Sequence, residues 1–461
     1  DGFPEDQFEI AGGTSVQVYP NARRPNWPEA EFIVGNPPFI GGKDIRDEHG
    51  SPYAVALRKA HKAMNDSADF VMYWWDYAAD QMMRKKSTVR RFGFVTTNSI
   101  TQVFSRKAVA RWLSAKKPLS LVYAINDHPW RAGGKDVAVV RISMTVAAAG
   151  TQTGRLDTVV SERGIETDDP EILVRSTTGT INPDLTVGAD VTRATAMIAN
   201  EGVSSPGVKL HGKGFIVSRA EAGQLGLGSR INLENYVREY RNGRDLTAKP
   251  RNKLVIDLFG LSEQEVRSRY PEIYQHLAST VRVARQEGIN NALEKGSDPT
   301  TDAYDYLEKW WLFGKPRPEL RPALEGLSRY VVTVETAEHR FFQFLPQTVT
   351  PDNRLVCFAS DDALTLAMLS AKPHLTWTSR AGGSLEDRPT YTKTVCFDPF
   401  PFPDPSDAIR ATLRDLGEEL DATRKTVQAE HPDLTLTGLY NVLEKVRAGA
   451  PLDAKDEDVK N

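Results

Sequence analysis

Short apolar runs alternate with amphipathic stretches over the first third of the chain. The run Phe32-Ile33-Val34 stops at Gly35-Asn36-Pro37-Pro38, which predicts a buried strand that ends in a turn. Similar runs predict three further strands, at 92–97, 119–125 and 137–146. Three helical patterns lie between them, at 54–64, 69–86 and 105–115.

The helix at 69–86 has the clearest periodicity, because Phe70, Tyr73, Trp74 and Tyr77 fall on one face. Strands that alternate with helices indicate a mostly parallel sheet. The last two strands are joined without a helix, which predicts an antiparallel pair at the edge of that sheet.

The pattern is weaker beyond residue 150. Residues 151–235 are rich in Thr and Gly and show mixed periodicity. Later segments predict four helices, at 264–286, 302–311, 406–429 and 436–448. They also predict one strand, at 330–334. A proline-rich connector covers 398–405, and the charged tail at 453–461 is predicted to be frayed. These changes predict three domains, at 1–150, 151–398 and 399–461.

Composition excludes several classes of protein. Of the 461 residues 40% are hydrophobic, without an apolar run of about eighteen residues, so no membrane span is predicted. The two cysteines, Cys357 and Cys396, exclude a disulfide scaffold and a cysteine-rich zinc site, and they fit a cytoplasmic protein. The histidines lack metal-ligand spacing, so no metal is predicted. The net charge of -3 means that an anionic partner would need a local basic patch.

The sharpest chemical signal is Asn36-Pro37-Pro38-Phe39, directly after the first predicted strand. Ligands of open parallel sheets bind at the carboxyl ends of the strands. Two consecutive prolines fix the backbone and remove two N–H donors, so the loop presents carbonyl oxygens, one amide side chain and one aromatic ring. Such a set would accept hydrogen bonds from an exocyclic amine and stack on the ring that bears it. The alternative is a proline turn that only closes the strand.

Methyl transfer to an amine is the reaction that these groups suit. An aryl amine is a poor nucleophile because its lone pair is delocalised. Two acceptors, the Asn36 side-chain oxygen and the Pro37 carbonyl oxygen, would draw the nitrogen toward tetrahedral geometry and aim its lone pair at an electrophilic methyl group. No strong base is required, because the proton leaves after the nitrogen has become cationic.

Asn-Pro-Pro-aromatic resembles the catalytic motif of S-adenosylmethionine-dependent amino-methyltransferases, above all the DNA adenine-N6 methyltransferases. Residues 68–75, 91–99 and 138–142 resemble later motifs of that fold in the expected order. Four stretches resemble the target-recognition and C-terminal regions of MmeI-like fused type IIG/IIL restriction–modification enzymes: Asn242-Gly243-Arg244-Asp245, Trp310-Trp311, 334–337 and 396–401. The resemblance runs from Trp27 to about Pro405.

The resemblance implies an α/β fold. A partial Rossmann-like methyltransferase sheet would be followed by a mixed α+β target-recognition domain and a small helical C-terminal domain. The catalytic residues would be Asn36, Pro37, Pro38 and Phe39, with Phe39 stacked on an adenine flipped out of duplex DNA. Trp130 would add a second aromatic ring to the base pocket, unless residues 127–130 are only a packed turn.

A basic segment follows in the predicted reader domain. The predicted DNA contacts are the six cationic side chains of this segment, together with Lys43 and Arg46 after the catalytic loop. The six are Arg238, Arg241, Arg244, Lys249, Arg251 and Lys253. The alternative is a solvated charged face. Further candidates are Arg317, Arg321, His339 and Arg340, whereas Trp310-Trp311 is expected in the core. Glu335 would accept from cytosine or pair with a buried arginine.

Cofactor residues are not identifiable. Gly12-Gly13 lacks the spacing and the following helix of a cofactor-binding glycine loop. The chain begins Asp1-Gly2-Phe3-Pro4 without methionine, so we expect a fragment whose parent carries the cofactor-binding and nuclease regions upstream.

The predicted function is site-specific adenine-N6 methylation of double-stranded DNA with S-adenosylmethionine. One alternative is a DNA-recognition fragment that is inactive without the upstream half. Another is a protein glutamine methyltransferase, which the long region 151–398 disfavours.

Overall fold

The computed structural model describes residues 7–11, 14–130, 140–165, 167, 170–294, 299–385, 388–431 and 433–460. Gly12-Gly13 lies outside them. The chain divides into two compact units, Asp1–Arg193 and Ala194–Asn461. The three domains predicted from the sequence remain a prediction. No helix formed by the described residues is long and apolar enough to cross a membrane.

The first unit alternates strands and helices, as predicted. Its elements are β1 (Gln7–Ala11), β2 (Thr14–Val18), β3 (Phe32–Gly35), α1 (Ile45–His49), α2 (Ser51–Ala60), α3 (Val71–Met83), β4 (Arg91–Thr97), α4 (Val103–Leu113), β5 (Leu119–Trp130), β6 (Val140–Ala149), β7 (Gly154–Arg163) and β8 (Glu171–Gly179). The four strands and three helices predicted before residue 150 are confirmed, with shifts at their ends.

Six of these strands form one sheet in the order β3-β4-β6-β5-β7-β8. β3, β4, β5 and β7 run in one direction, and β6 and β8 run against them. The predicted antiparallel pairing of β5 with β6 is confirmed, but its position at an edge is wrong. β7 adds beyond β5. Gly154 permits the close approach of the two strands, since a Cβ there would lie 2.1 Å from the Leu121 carbonyl oxygen.

Helix α3 supplies much of the core beneath this sheet. Seven of its hydrophobic side chains join the main cluster: Val71, Met72, Tyr73, Trp75, Ala78, Ala79 and Met82. Trp75 is fully buried and its Nε1 donates to Thr145 Oγ1 of β6 at 3.1 Å. The packing fixes α3 against the sheet and thereby fixes the loops at its amino end.

The described residues of the second unit form more helices than those of the first, together with three small sheets. Its elements are β9 (Ser204–Pro206), β10 (Ile216–Val217), α5 (Arg219–Gln224), β11 (Val237–Arg241), α6 (Gly243–Thr247), β12 (Lys253–Ile256), α7 (Glu263–Arg269), α8 (Pro271–Leu277), α9 (Val283–Glu294), α10 (Thr301–Glu308), α11 (Leu320–Leu324), β13 (Arg329–Val334), β14 (Gln343–Pro346), β15 (Thr350–Pro351), β16 (Leu355–Phe358), α12 (Ala363–Ser370), α13 (Lys372–Ala381), β17 (Gly383–Leu385), β18 (Arg388–Thr390), α14 (Lys393–Cys396), α15 (Asp407–Glu430), α16 (Leu436–Ala448) and α17 (Ala454–Lys460).

The sheets of this unit are β10-β12-β11-β15, β14-β13-β16-β9 and β17-β18. Helix α15 packs on the β13–β14 sheet, where Asp421 Oδ1 accepts from the Phe344 N–H at 2.9 Å. The strand predicted at 330–334 and the helices predicted around 264–286, 302–311, 406–429 and 436–448 are confirmed. The prediction of a frayed tail is wrong, because residues 454–460 form a helix and Lys445 Nζ pairs with Asp456 Oδ2 at 2.5 Å.

Candidate active site and nucleic-acid interface

The Asn36-Pro37-Pro38-Phe39 motif leaves β3 at the carboxyl edge of the six-stranded sheet. Asn36 and Pro38 are exposed, Pro37 is buried and Phe39 is half-buried. An exposed amide beside a buried, rigid proline is accessible to a ligand while its backbone stays fixed.

Asp69 ties this loop to the end of β4. Its Oδ1 accepts from the Gly42 N–H at 3.3 Å, and its Oδ2 accepts from Thr97 Oγ1 at 3.1 Å and from Ser99 Oγ. One carboxylate therefore links the loop after β3 with the turn after β4, the two places where a ligand of this sheet edge would bind.

Backbone contacts reinforce the same junction. The Phe70 N–H donates to the Ile40 carbonyl oxygen at 2.9 Å. Gly42 is buried, and a Cβ there would lie 2.6 Å from the Ala68 carbonyl oxygen. Only glycine lets the loop approach the start of α3 this closely.

A second polar network joins the ends of β4 and β5. Asn98 Nδ2 donates to Asp127 Oδ1 at 2.6 Å, and Asn98 Oδ1 accepts from the Asp127 N–H at 3.0 Å. Asp127 has a left-handed backbone with φ of 57°, inside a shift of strand register between Ile125 and His128. The paired side chains thus stabilise a bulge three residues before Trp130.

Trp130 is the last residue of β5, half-buried and opposite Val140 of β6. It lies at the same sheet edge as Asn36, since β5 and β3 run in the same direction. Residues 131–139, which follow Trp130, lie outside the described residues. The base-pocket role of Trp130 stays a prediction.

Asp69 and Asn98 lie in the sequence motifs at 68–75 and 91–99, but the sequence alone gives neither residue a role. A polar residue directly after a predicted strand or before a predicted helix was the available signal. Which partners these side chains choose depends on the sheet order, which the sequence pattern does not contain.

The predicted DNA contacts differ in how the protein holds them. Lys43 and Arg46 flank the start of α1 and are exposed. In the basic segment, three cations pair with carboxylates: Arg241 with Glu239, Lys249 with Asp433 and Arg251 with Asp245. Arg238, Arg244 and Lys253 have no carboxylate within ion-pair distance among the described residues. The segment is therefore a partly neutralised surface.

Arg251 is held most firmly. Its Nε and Nη2 lie 2.9 and 2.8 Å from the two carboxylate oxygens of Asp245, which is buried. Asp245 in turn forms a capping box with Asn242 at the start of α6. The Asn242-Gly243-Arg244-Asp245 motif thus forms a helix start, and Arg251 stabilises it whether or not it touches DNA.

Of the remaining candidates, Arg340 and His339 are held by other groups of the protein. Arg340 is held by the oxygens of Thr333 at 3.0 Å and Pro389 at 3.1 Å, and burial lowers the pKa of its guanidinium to about 10. Trp310 is buried, as expected. His339 Nδ1 lies 3.3 Å from Glu444, and Glu335 pairs with Arg354 at 3.0 Å. The pairing of Glu335 is with an exposed arginine and not with a buried one.

No metal cage is found in the part of the chain that the structure describes. No group of three His, Cys, Asp or Glu side chains there has the arrangement to hold a metal ion. The described residues before β3 form the antiparallel β1–β2 hairpin instead of a strand, glycine loop and helix. The acceptors at Asn36 and Pro37 fit an exocyclic amine.

Two family models match this chain. The MmeI DNA-methyltransferase domain matches residues 12–156, and the MmeI target recognition domain matches residues 206–404. Together they cover about three quarters of the chain.

Individual relatives are more distant. "DNA methyltransferase A" of Bacillus subtilis (strain 168) is 22% identical over 443 residues, which are 91% of this chain and 45% of that protein. The type IIL restriction–modification enzyme MmeI, solved in complex with DNA, is 19% identical with a TM-score of 0.66, over 89% of this chain and 51% of that chain. This chain thus spans about half the length of the relatives it matches.

The predicted fold class is confirmed by the likeness to MmeI, and the predicted family by the two domain models. The first domain model includes the Asn36 loop, Asp69 and Trp130, and the second includes the basic segment. This chain therefore belongs to the MmeI family and comprises a DNA-methyltransferase domain followed by a target recognition domain.

Proposed function

We propose that this chain contains the adenine-N6 methyl-transfer site and the DNA reader of a restriction–modification enzyme. The observation that supports this most is the exposed Asn36 amide, next to a rigid Pro-Pro backbone at the carboxyl edge of a methyltransferase sheet. In the proposed complex, the Asn36 side-chain oxygen and the Pro37 carbonyl oxygen accept the two N6 hydrogens of an adenine flipped out of the duplex.

Phe39 stacks on the flipped base, and Asp69 keeps the loop in register with the end of β4. Holding both N–H groups turns the nitrogen lone pair out of the ring plane, toward the methyl group. S-adenosylmethionine is the proposed donor and supplies that electrophilic methyl.

A DNA reader without activity of its own is the second candidate. The observation that favours it is the β1–β2 hairpin, which occupies the chain before β3 where a cofactor cradle would be expected. The basic segment and the target recognition match suit this role equally well.

Calorimetric titration of the chain with S-adenosylmethionine separates the two candidates. Saturable binding supports a methyltransferase, and its absence supports the reader. Binding to duplex DNA at several salt concentrations is measured in parallel, because phosphate contacts give a steep salt dependence. A flat dependence would contradict both candidates and would favour a protein substrate.

A further inference from the structure

Three arginines from two separate parts of the sequence line one cavity in the second unit. The cavity has a volume of about 350 Å³ and is lined by residues from β11, α11 and β15. Arg238, Arg317 and Arg321 are its cationic residues, and Asp257 and Glu325 are its anionic ones. Cavities of this size accommodate small ligands or single groups of a larger one.

The protein holds Arg321 rigidly. Its Nη2 lies 3.0 and 2.9 Å from the two carboxylate oxygens of Asp257, and its Nε donates to the Pro316 carbonyl oxygen at 3.1 Å. The guanidinium also covers the Phe259 ring at 4.2 Å. Because Asp257 is buried and already neutralised by Arg321, it does not cancel the charge of the other two arginines.

Arg238 and Arg317 are held by backbone carbonyls. Arg238 donates from Nε to Thr348 at 3.1 Å and from Nη2 to Gln347 at 2.7 Å. Arg317 donates from Nε to Gly207 at 3.2 Å and has a left-handed backbone, with φ of 55°. Neutral carbonyls fix the two side chains. Arg317 has one carboxylate at the limit of ion-pair distance, since its Nη1 lies 4.0 Å from Glu319 Oε1, and Arg238 has none among the described residues.

The three guanidiniums share one pattern. The hydrogen bonds described for them use Nε or Nη2, and none uses Nη1. A guanidinium has five N–H donors, so each keeps donors for a ligand while its orientation is already fixed. Preorganised arginines at one cavity favour phosphate, whose oxygens accept the paired N–H groups.

We propose that this cavity is a phosphate-binding subsite and that its occupant is a backbone phosphate of duplex DNA. The choice of DNA rests on the proposed function. The same phosphate chemistry is offered by a free nucleotide, so the experiment distinguishes the two sources. Arg317 and Arg321 thereby join Arg238 as proposed DNA contacts. Arg251 belongs to the basic segment but does not belong to this subsite.

The test is the salt dependence of duplex binding for Arg238→Gln, Arg317→Gln and the control Arg447→Gln, an exposed arginine of α16. Each cavity variant should lower the slope of log K against log salt by about one, and the control should leave it unchanged. Glu325→Gln guards against a folding defect, since Glu325 is an exposed lining residue whose loss should strengthen binding at low salt.

Calorimetric titration with adenosine monophosphate provides the second arm. If wild type binds it and the cavity variants do not, while their duplex slopes equal the wild-type slope, the subsite exists but its occupant is a free nucleotide. If wild type does not bind DNA, the proposed reader function fails and this arm still tests the cavity. The proposal would be overturned if the cavity variants kept the wild-type salt slope and also bound the nucleotide as wild type does. It would equally be overturned if they kept that slope and wild type did not bind the nucleotide.

Discussion

Asp69 is expected to control the local stability of the catalytic loop. Asp69→Ala leaves the buried Gly42 N–H without its acceptor, which costs about 1–3 kcal/mol. The hydroxyls of Thr97 and Ser99 lie 2.5 Å apart and keep each other as partners, so they add little. We therefore expect a loss of about 2 kcal/mol in the free energy of local opening.

Hydrogen exchange with mass spectrometry measures this directly. A loss of about 2 kcal/mol predicts that amides of residues 39–43 exchange about thirtyfold faster, since 1.4 kcal/mol is a factor of ten. Asp66→Ala is the matched control. Asp66 is exposed and its ion pair with Arg58 spans 3.5 Å, so its loss should cost less than about 1 kcal/mol. Equal exchange of the loop in both variants would refute the role assigned to Asp69.

Three further predictions concern stability and association. Burial lowers the pKa of His374 to about 4, so the unfolded state binds more protons between pH 4 and 6.5, and stability falls by up to about 3 kcal/mol as pH drops through that window. Urea unfolding of His374→Phe at pH 7 and pH 4.5 should no longer show this loss of stability. A similar loss from His61, whose pKa burial also lowers to about 4, should persist. An unchanged pH dependence in the variant would contradict the role given to His374. Arg251→Gln leaves the buried Asp245 carboxylate unpaired and should cost about 3 kcal/mol in urea unfolding, and a fully stable variant would show that the pair is not structural. Val34 is 85% exposed on β3, the outermost strand of the sheet, so the chain should self-associate through this edge in sedimentation experiments. Val34→Lys should reduce the self-association, and a monomeric wild type would contradict the prediction.

The sequence predicted the position of the candidate site well. An apolar run followed by Gly35 and two prolines fixes both the end of β3 and the start of the loop, because these signals are local. The strands and helices up to residue 150 were predictable for the same reason. Local periodicity specifies which face of an element is buried.

Features that depend on distant partners were not predictable. β7 joins the sheet through a glycine contact with Leu121, and its own Thr- and Ser-containing sequence shows little alternation. The role of Asp69 requires β4 and α3 to meet, which only the fold determines.

Charge runs mislead for a related reason. The basic segment appears as six free cations, yet Lys249 pairs with Asp433, which lies 184 positions away in the chain. Conversely, Arg238 is distant in the sequence from Arg317 and Arg321, yet all three line one cavity. Sequence neighbours therefore give the number of charges in a segment, and the fold decides which of them a ligand meets.

The most direct test of the central claim is the amount of N6-methyladenine formed in duplex DNA by wild type and by Asn36→Ala, in the presence of S-adenosylmethionine. Asn36 is exposed, so the substitution should leave the fold and duplex binding unchanged. The account predicts N6-methyladenine with wild type and a loss of at least about a hundredfold with Asn36→Ala, the scale of removing one preorganised hydrogen-bonding group. Equal methylation by both proteins, or methylation of a different base, would contradict it.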